Sequence, residues 1–252
     1  MVERLTDKSE IRRRLNADRE WSLYALADLD DELFPHCDWW ASQDALALVF
    51  RALAIRPIFL IGDGPPVRDL LAALPETGGY LNIRPHHAET AAAFYTYRER
   101  REVRRMILDD FRPRPGDTVP LGPRDCAEIE RLYASGDGGG IAFAPFQLET
   151  GMFRGIRRDG ELAAVAGVQV ASRREGVAAI GNIFTRADCR GQGFAQIVTS
   201  AVVEAVKITG IPTIGLNVGY RNAAAIRAYE NIGFRIRFGY YEGVVGRVSE
   251  QI

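Results

Sequence analysis

Two periods of apolar spacing run through this chain, and the places where one gives way to the other mark out its elements. From about Ser9 to Leu29 apolar side chains fall at helical spacing, followed by an aromatic cluster of Phe34, Trp39 and Trp40. Ala45 to Phe50 and Pro57 to Ile61 read as short strands. The turn Gly62-Asp63-Gly64-Pro65-Pro66 then launches a helix from Val67 to Leu74, with proline in its first turn. A strand at Tyr80 to Ile83 and a helix from His87 to Arg101 follow, which gives this half an α/β character. Several prolines and two glycines gather in Arg112 to Pro123, the expected boundary or linker.

Beyond it, Asp125 to Ala134 is a predicted helix and Ser135 to Gly140 a glycine-rich loop. Strands are predicted at Phe153 to Arg157, Leu162 to Ala171 and Val177 to Thr185, the first two joined by a hairpin at Arg158-Asp159-Gly160. After Thr185 the order becomes loop, helix, strand, helix, strand, strand, ending near Val248. The fold class is α/β, with an α+β mixed sheet in two domains: a smaller N-terminal α/β domain over 1–115 and a second domain over 116–252. The first half is compatible with a degenerate copy of the second.

Composition narrows the function classes. A length of 252 residues exceeds the commonest domain size, and 47% apolar with 26% charged residues is the balance of a chain with a packed core. A formal net charge of -1 gives no overall field for nucleic acid or an anionic membrane, and neither is an expected partner. Cys37, Cys126 and Cys189 are too few and too dispersed for a zinc ligand set or a disulfide framework, which points to a reducing compartment. Met1 to Arg14 lacks the apolar run of a signal peptide, and no stretch is apolar for long enough to span a bilayer; a cytoplasmic protein is expected.

The chemistry concentrates in Arg186 to Ala195, which joins a strand to a helix reaching about Ile208. Phe194, Ile197, Val198, Ala201, Val202, Ala205 and Ile208 give that helix one apolar face, and Gly210 and Pro212 end it. Small residues at its mouth let backbone approach a ligand, and free N–H groups there point outward at the positive end of the helix dipole. Such a cradle suits an anion. The dinucleotide fingerprint fails because Gln196 stands where its third small residue belongs, and the nucleotide-hydrolase loop fails for want of a Lys-Ser/Thr pair.

Arg190, Gly193 and Ala195 fill a spacing of arginine, two residues, glycine, one residue and a small residue, which resembles the coenzyme A signature of the GCN5-related N-acetyltransferases (GNAT). Downstream, the strand Thr213 to Val218 leads into Asn222, Ala225, Tyr229, Gly233 and Phe234, similar to that family's second block. The resemblance covers Val119 to Val248. The N-terminal half, including Tyr24 to Trp40 and Glu99 to Leu108, looks like the extra domain of a bacterial subgroup.

This resemblance implies a GNAT fold for the second domain and acetyl-CoA as co-substrate, with no metal. The implied reaction is acyl transfer to a primary amine by direct attack in a ternary complex. Ile183, Phe184 and Thr185 would offer backbone to the pantetheine arm, and Arg190, Gly191, Gln192, Gly193, Phe194 and Ala195 would hold the pyrophosphate. Asn222 and Tyr229 would lie near the thioester, with Tyr229 as the acid that protonates the departing thiolate. An alkyl amine is only about 0.1% neutral at pH 7, so a base or water relay is useful. Many relatives carry a carboxylate on the strand before the loop, but Gly181 and Asn182 stand there, which leaves the base open and Glu149 as a candidate.

Blander readings apply to several of these residues. Gly181 inside a strand suggests a bulge or a close approach, Asn222 is a good helix N-cap, and a tyrosine at helical spacing is usually packing. His36, His86 and His87 read as surface or capping residues, Cys189 as a loop residue, and Trp39 and Trp40 as aromatics that seal an interface between halves. The expected acceptor is a small-molecule or peptide amine. O-acyl transfer, a non-catalytic acyl-CoA sensor, and an N-terminal half that serves only to form a homodimer are the alternatives.

Overall fold

The computed structural model describes residues 1–136 and 142–248; the end of the predicted glycine-rich loop, 137–140, lies outside the described residues. The chain divides into two compact units, one of residues 1–105 with the chain from Phe238 onward, the other of residues 106–237. The segment 112–123 lies inside the second unit.

The first unit contains β1 (Glu3–Arg4), α1 (Lys8–Asn16), α2 (Leu23–Ala27), β2 (Cys37–Ser42), β3 (Ala45–Phe50), β4 (Pro57–Ile61), α3 (Pro65–Ala73), β5 (Gly78–Ile83), α4 (Ala88–Ala92) and β6 (Tyr95–Tyr97). β7 (Arg101–Leu108) then carries the chain into the second unit. Successive strands from β1 to β4 pair, β2–β3–β4 as an antiparallel meander, and β4 pairs with β5 in parallel across α3. Residues 241–246 return to lie antiparallel to β5. Val67, Leu70 and Leu71 of α3 pack on Val49, Ile58, Leu60, Leu81 and Ile83, a buried core that stabilises by about 1.5–3 kcal/mol per side chain.

Two parts of this unit differ from the sequence expectation. The helical stretch after Ser9 is interrupted at residues 17–22, where Trp21 turns inward and its indole N–H donates to the Leu60 carbonyl at 2.8 Å. The helix expected from His87 to Arg101 is confined to α4. Tyr95, Thr96 and Tyr97 instead form β6, paired with Val245 to Arg247, and the buried Tyr95 hydroxyl donates to the Glu76 carbonyl. Aromatic and β-branched side chains gain more from this long-range pairing than from local helical spacing. The aromatic cluster also conceals a strand: Trp39 is buried in β2, and Trp40 packs against the core of the same unit.

The second unit contains β8 (Val119–Leu121), α5 (Cys126–Ala134), β9 (Phe153–Arg158), β10 (Glu161–Ser172), β11 (Val177–Thr185), α6 (Phe194–Ile208), β12 (Thr213–Gly219) and α7 (Ala223–Ile232). The two strands expected at the end are one, β13 (Phe234–Arg247), which leads back into the first unit. Strands β8 to β11 pair antiparallel in chain order, and β11 pairs with β12 in parallel, with α6 as the crossover. The β9–β10 turn is formed by Asp159 and Gly160 with φ of 52° and 84°, the left-handed pair that a two-residue hairpin requires.

The sheet of the second unit is covered on both faces. Ala166, Val168, Ala178, Ile180, Ile214 and Leu216 meet α6, while Leu162, Val165, Phe153 and Phe184 meet Ile129, Leu132 and Tyr133 of α5. The buried stripe of α6 is Val198, Val202, Val203 and Val206, rotated from the expected face, and Ile208 at the last position is 87% exposed. Both units follow one order: an antiparallel three-strand meander, a turn, a crossover helix and a parallel strand.

Candidate active site

The site begins where β11 leaves its parallel neighbour. Their register runs only from Val177 opposite Thr213 to Ile180 opposite Leu216, although β11 continues to Thr185 and β12 to Gly219. On the other side, Gly181 faces Gly167 and Phe184 faces Val165, so β11 spends one residue more than β10 over this interval. That is a β-bulge, and Asn182 takes the strained position with φ of 54°. Gly181 is needed for a close approach by a side chain, since a Cβ there would lie 2.5 Å from Gln169 Cδ.

A clamp holds the bulge in place. Asn182 Nδ2 donates to Gln147 Oε1 at 2.8 Å, and the Asn182 carbonyl accepts from the Tyr133 hydroxyl at 2.8 Å. Gln147, 6% exposed in the 3₁₀ turn Pro145–Thr150, also accepts from the Ala144 amide and donates to the carbonyls of Ala142 and Gln169. Replacing Gln147 by leucine leaves these partners unmet and is expected to cost about 1–3 kcal/mol of stability, read as a lower urea midpoint. A midpoint unchanged from wild type would show that the clamp carries no such weight.

Past Thr185 the chain turns through Ala187–Cys189 and enters α6 by way of Gly191 and Gly193, with φ of 77° and 81°. A Cβ at either glycine would meet nothing within 4 Å, so open space lies before both. The first helical bonds run from the Gln196 and Ile197 amides to the Gly193 carbonyl. The amides of Gly191, Gln192, Gly193, Phe194 and Ala195 therefore donate to no acceptor among the described residues. Arg190 is exposed and its Nε donates to the Thr185 carbonyl at 3.2 Å, while the Thr185 hydroxyl oxygen is buried without a partner. Arg158, at the end of β9, lies with its guanidinium 5.7 Å from the Phe194 ring centre and adds a cation beside the helix mouth.

The remaining residues of interest sit on other elements. Asn222 caps α7, its Oδ1 accepting from the Ala225 amide at 3.1 Å. Tyr229 is 6% exposed on the same helix, its ring edge-on to Phe234 at 6.4 Å, and its hydroxyl makes no hydrogen bond among the described residues. Burial pushes its phenol up from the ordinary value. Gly233 ends α7 in the left-handed region, where a Cβ would overlap the Asp110 carbonyl. Glu149 is exposed in the 3₁₀ turn that carries Gln147, and Cys189 is buried, 3.5 Å from Arg186 Nη2.

Ile183, Phe184, Thr185 and the run from Arg190 to Ala195 thus belong to one continuous strand, turn and helix start. Tyr133, Gln147 and Arg158 were not expected from sequence. Their only local trace is a glutamine three residues after Ala144, the spacing of a capping box, and a basic residue beside a hairpin turn.

A forked strand with a bulge at the fork is thus followed by an amide cradle on the crossover helix, an arrangement suited to an extended, anionic ligand. The chain belongs to the Acetyltransferase (GNAT) family, whose model matches residues 105–234, just over half of the sequence. Over 121 residues it is 32% identical to the ribosomal protein bS18-alanine N-acetyltransferase of Escherichia coli (strain K12), covering 47% of this chain and 73% of that one. A GNAT-family structure from Novosphingobium aromaticivorans is similar at 25% identity with a TM-score of 0.56, covering 76% of this chain and 84% of the other. A tandem GNAT protein from the clavulanic acid biosynthesis pathway, 13% identical, shares the fold with a TM-score of 0.58 over 100% of this chain and 99% of its own. The family's co-substrate is acetyl-CoA, and the free amides, the open space at both glycines and the orphaned Thr185 hydroxyl fit a ligand of that kind.

Proposed function

We propose that this protein transfers an acetyl or other short acyl group from acetyl-CoA to a primary amine by direct attack in a ternary complex. The observation that carries the reading is the run of undonated amides from Gly191 to Ala195 at the mouth of α6. The helix dipole contributes about 0.3–2 kcal/mol toward a diphosphate, whereas each charge-assisted N–H bond contributes about 1.5–3 kcal/mol, so the hydrogen bonds dominate. Between Gly181 and Thr185 the β12 side of β11 lies outside the parallel ladder, which leaves backbone groups of Ile183, Phe184 and Thr185 to bind and orient an extended arm. The thioester supplies an acyl group already activated for transfer.

Tyr229 is the proposed acid: buried, unbonded at its hydroxyl and holding its proton well past neutral pH. Asn222 caps α7 through its Oδ1 alone, which leaves its amide nitrogen outside that cap. The Escherichia coli relative is named for an alanine of a ribosomal protein, which supports a peptide N-terminal amine as the first acceptor to try. We place the reaction in the cytosol, a reading supported by the Escherichia coli relative's being named for a ribosomal protein.

Asn182, bound to Gln147 at the position where a carboxylate base was sought, favours one rival, an acyl-CoA sensor without turnover. Thiol release from acetyl-CoA, followed across N-terminal alanine peptides, small amines and matched alcohols, separates the readings. Acceptor-dependent release with amines supports N-acyl transfer; saturable acetyl-CoA binding with no release on any acceptor overturns it.

A further inference from the structure

The first unit repeats the meander, turn, helix and parallel strand of the second, but its turn has the opposite chemistry. β4 and β5 are parallel with α3 between them, as β11 and β12 are with α6. Where the second unit presents free amides, α3 opens with Pro65 and Pro66, which have no N–H to give. The next two amides, of Val67 and Arg68, bond to the Gly64 carbonyl. The turn itself carries the Asp63 carboxylate, which would repel a diphosphate.

Two imidazoles converge on that carboxylate. His86 Nε2 lies 2.9 Å and His87 Nε2 3.9 Å from Asp63 Oδ1, with the rings 4.1 Å apart. From sequence alone both histidines are surface or capping residues, with no metal expected. His86 is exposed, while His87 stands at the N-cap position of α4 with a side chain only 5% exposed that makes no capping hydrogen bond.

We propose that Asp63, His86 and His87 form a site for a divalent transition-metal ion of the zinc type, tying the β4–α3 turn to the Pro85–His87 turn. One ligand atom from each lies within 4.8 Å of the others, the one such group among the described residues. Two imidazoles and a carboxylate with one position left for water is a common zinc donor set. Zinc bonds of about 2.0–2.2 Å set tetrahedral donors about 3.3–3.5 Å apart, a spacing bracketed by the two Asp63 distances. Asp63 and His86, 84% and 56% exposed, can close by rotation and leave a path for entry. His87 is fixed by burial, its side chain only 5% exposed. Arg84, a cation whose charge acts on His87, pairs with Asp18 at 2.9 Å and lies 3.8 Å over the Phe238 ring, so its charge is largely met elsewhere.

Calorimetric titration of the full-length chain with zinc chloride, and a parallel cobalt(II) titration read by visible absorption, test the site without any assay of acyl transfer. The expected result is one zinc per chain, bound more than about 100-fold more weakly by Asp63→Asn and by His86→Ala, since loss of a ligand costs more than the roughly 10–100-fold of an outer contact. Both substitutions fall on exposed side chains, so folding should persist and circular dichroism will report it. Absence of zinc binding up to about 0.1 mM would leave only a histidine–carboxylate contact and overturn the proposal. Equal affinity in wild type and both variants would place the metal on thiols elsewhere and overturn it as well.

Discussion

Replacing Tyr229 by phenylalanine is expected to lower kcat by about 10²–10⁴-fold while the KM for acetyl-CoA stays within about threefold. The hydroxyl makes no hydrogen bond among the described residues, so its removal leaves no protein partner unmet. The ring packs edge-on to Phe234 inside the core of the second unit, and phenylalanine keeps that contact. Folding should therefore survive, with a thermal midpoint close to wild type. Burial raises the phenol pKa, which favours the protonated form, so the acid is retained as pH climbs through the ordinary phenol value. The alkaline limb of the wild-type rate profile should consequently not report Tyr229. An undiminished kcat in a well-folded Tyr229→Phe variant would remove this residue from the chemistry.

The second large effect is expected at Gly193, and it separates charge from shape. Asparagine and aspartate are nearly isosteric and both tolerate the left-handed region better than other side chains. Gly193 has φ of 81° with open space where a Cβ would project, so both variants should fold alike. Aspartate alone sets a negative charge against the diphosphate. At a separation of about 5 Å and an intermediate effective dielectric, repulsion from two charges amounts to about 2–3 kcal/mol. Gly193→Asp should bind acetyl-CoA on the order of 30–150-fold more weakly than Gly193→Asn, and the gap should narrow in high salt. Equal affinities by calorimetry would mean that the diphosphate lies elsewhere.

Local chemistry explains which parts of this protein could be read from sequence. Pro65 and Pro66 at a helix start, Asp159-Gly160 in a hairpin and Gly210 after a helix act within a few residues, and each forms the expected element. The cradle was legible for the same reason, because its donors are consecutive in the chain. β6 and the start of β7 were mistaken for helix since their stability comes from strand partners far away in sequence. The clamp of Tyr133, Gln147 and Asn182 spans three separate segments, and the spacing from Ala144 to Gln147 points to a local cap rather than to these distant partners. His87 offered no sign of burial until the turn bearing Asp63 was brought against it.

β13 has a consequence for how the molecule is made. Its residues from Phe238 onward belong to the first unit, where Tyr241 to Gly246 complete the edge of β5. The strands before residue 106 thus wait for a segment that follows the entire second unit before their sheet is whole. Synthesis of the second unit, continuous in the chain, is finished sooner than assembly of the unit that precedes it, reversing the usual N-to-C order of maturation.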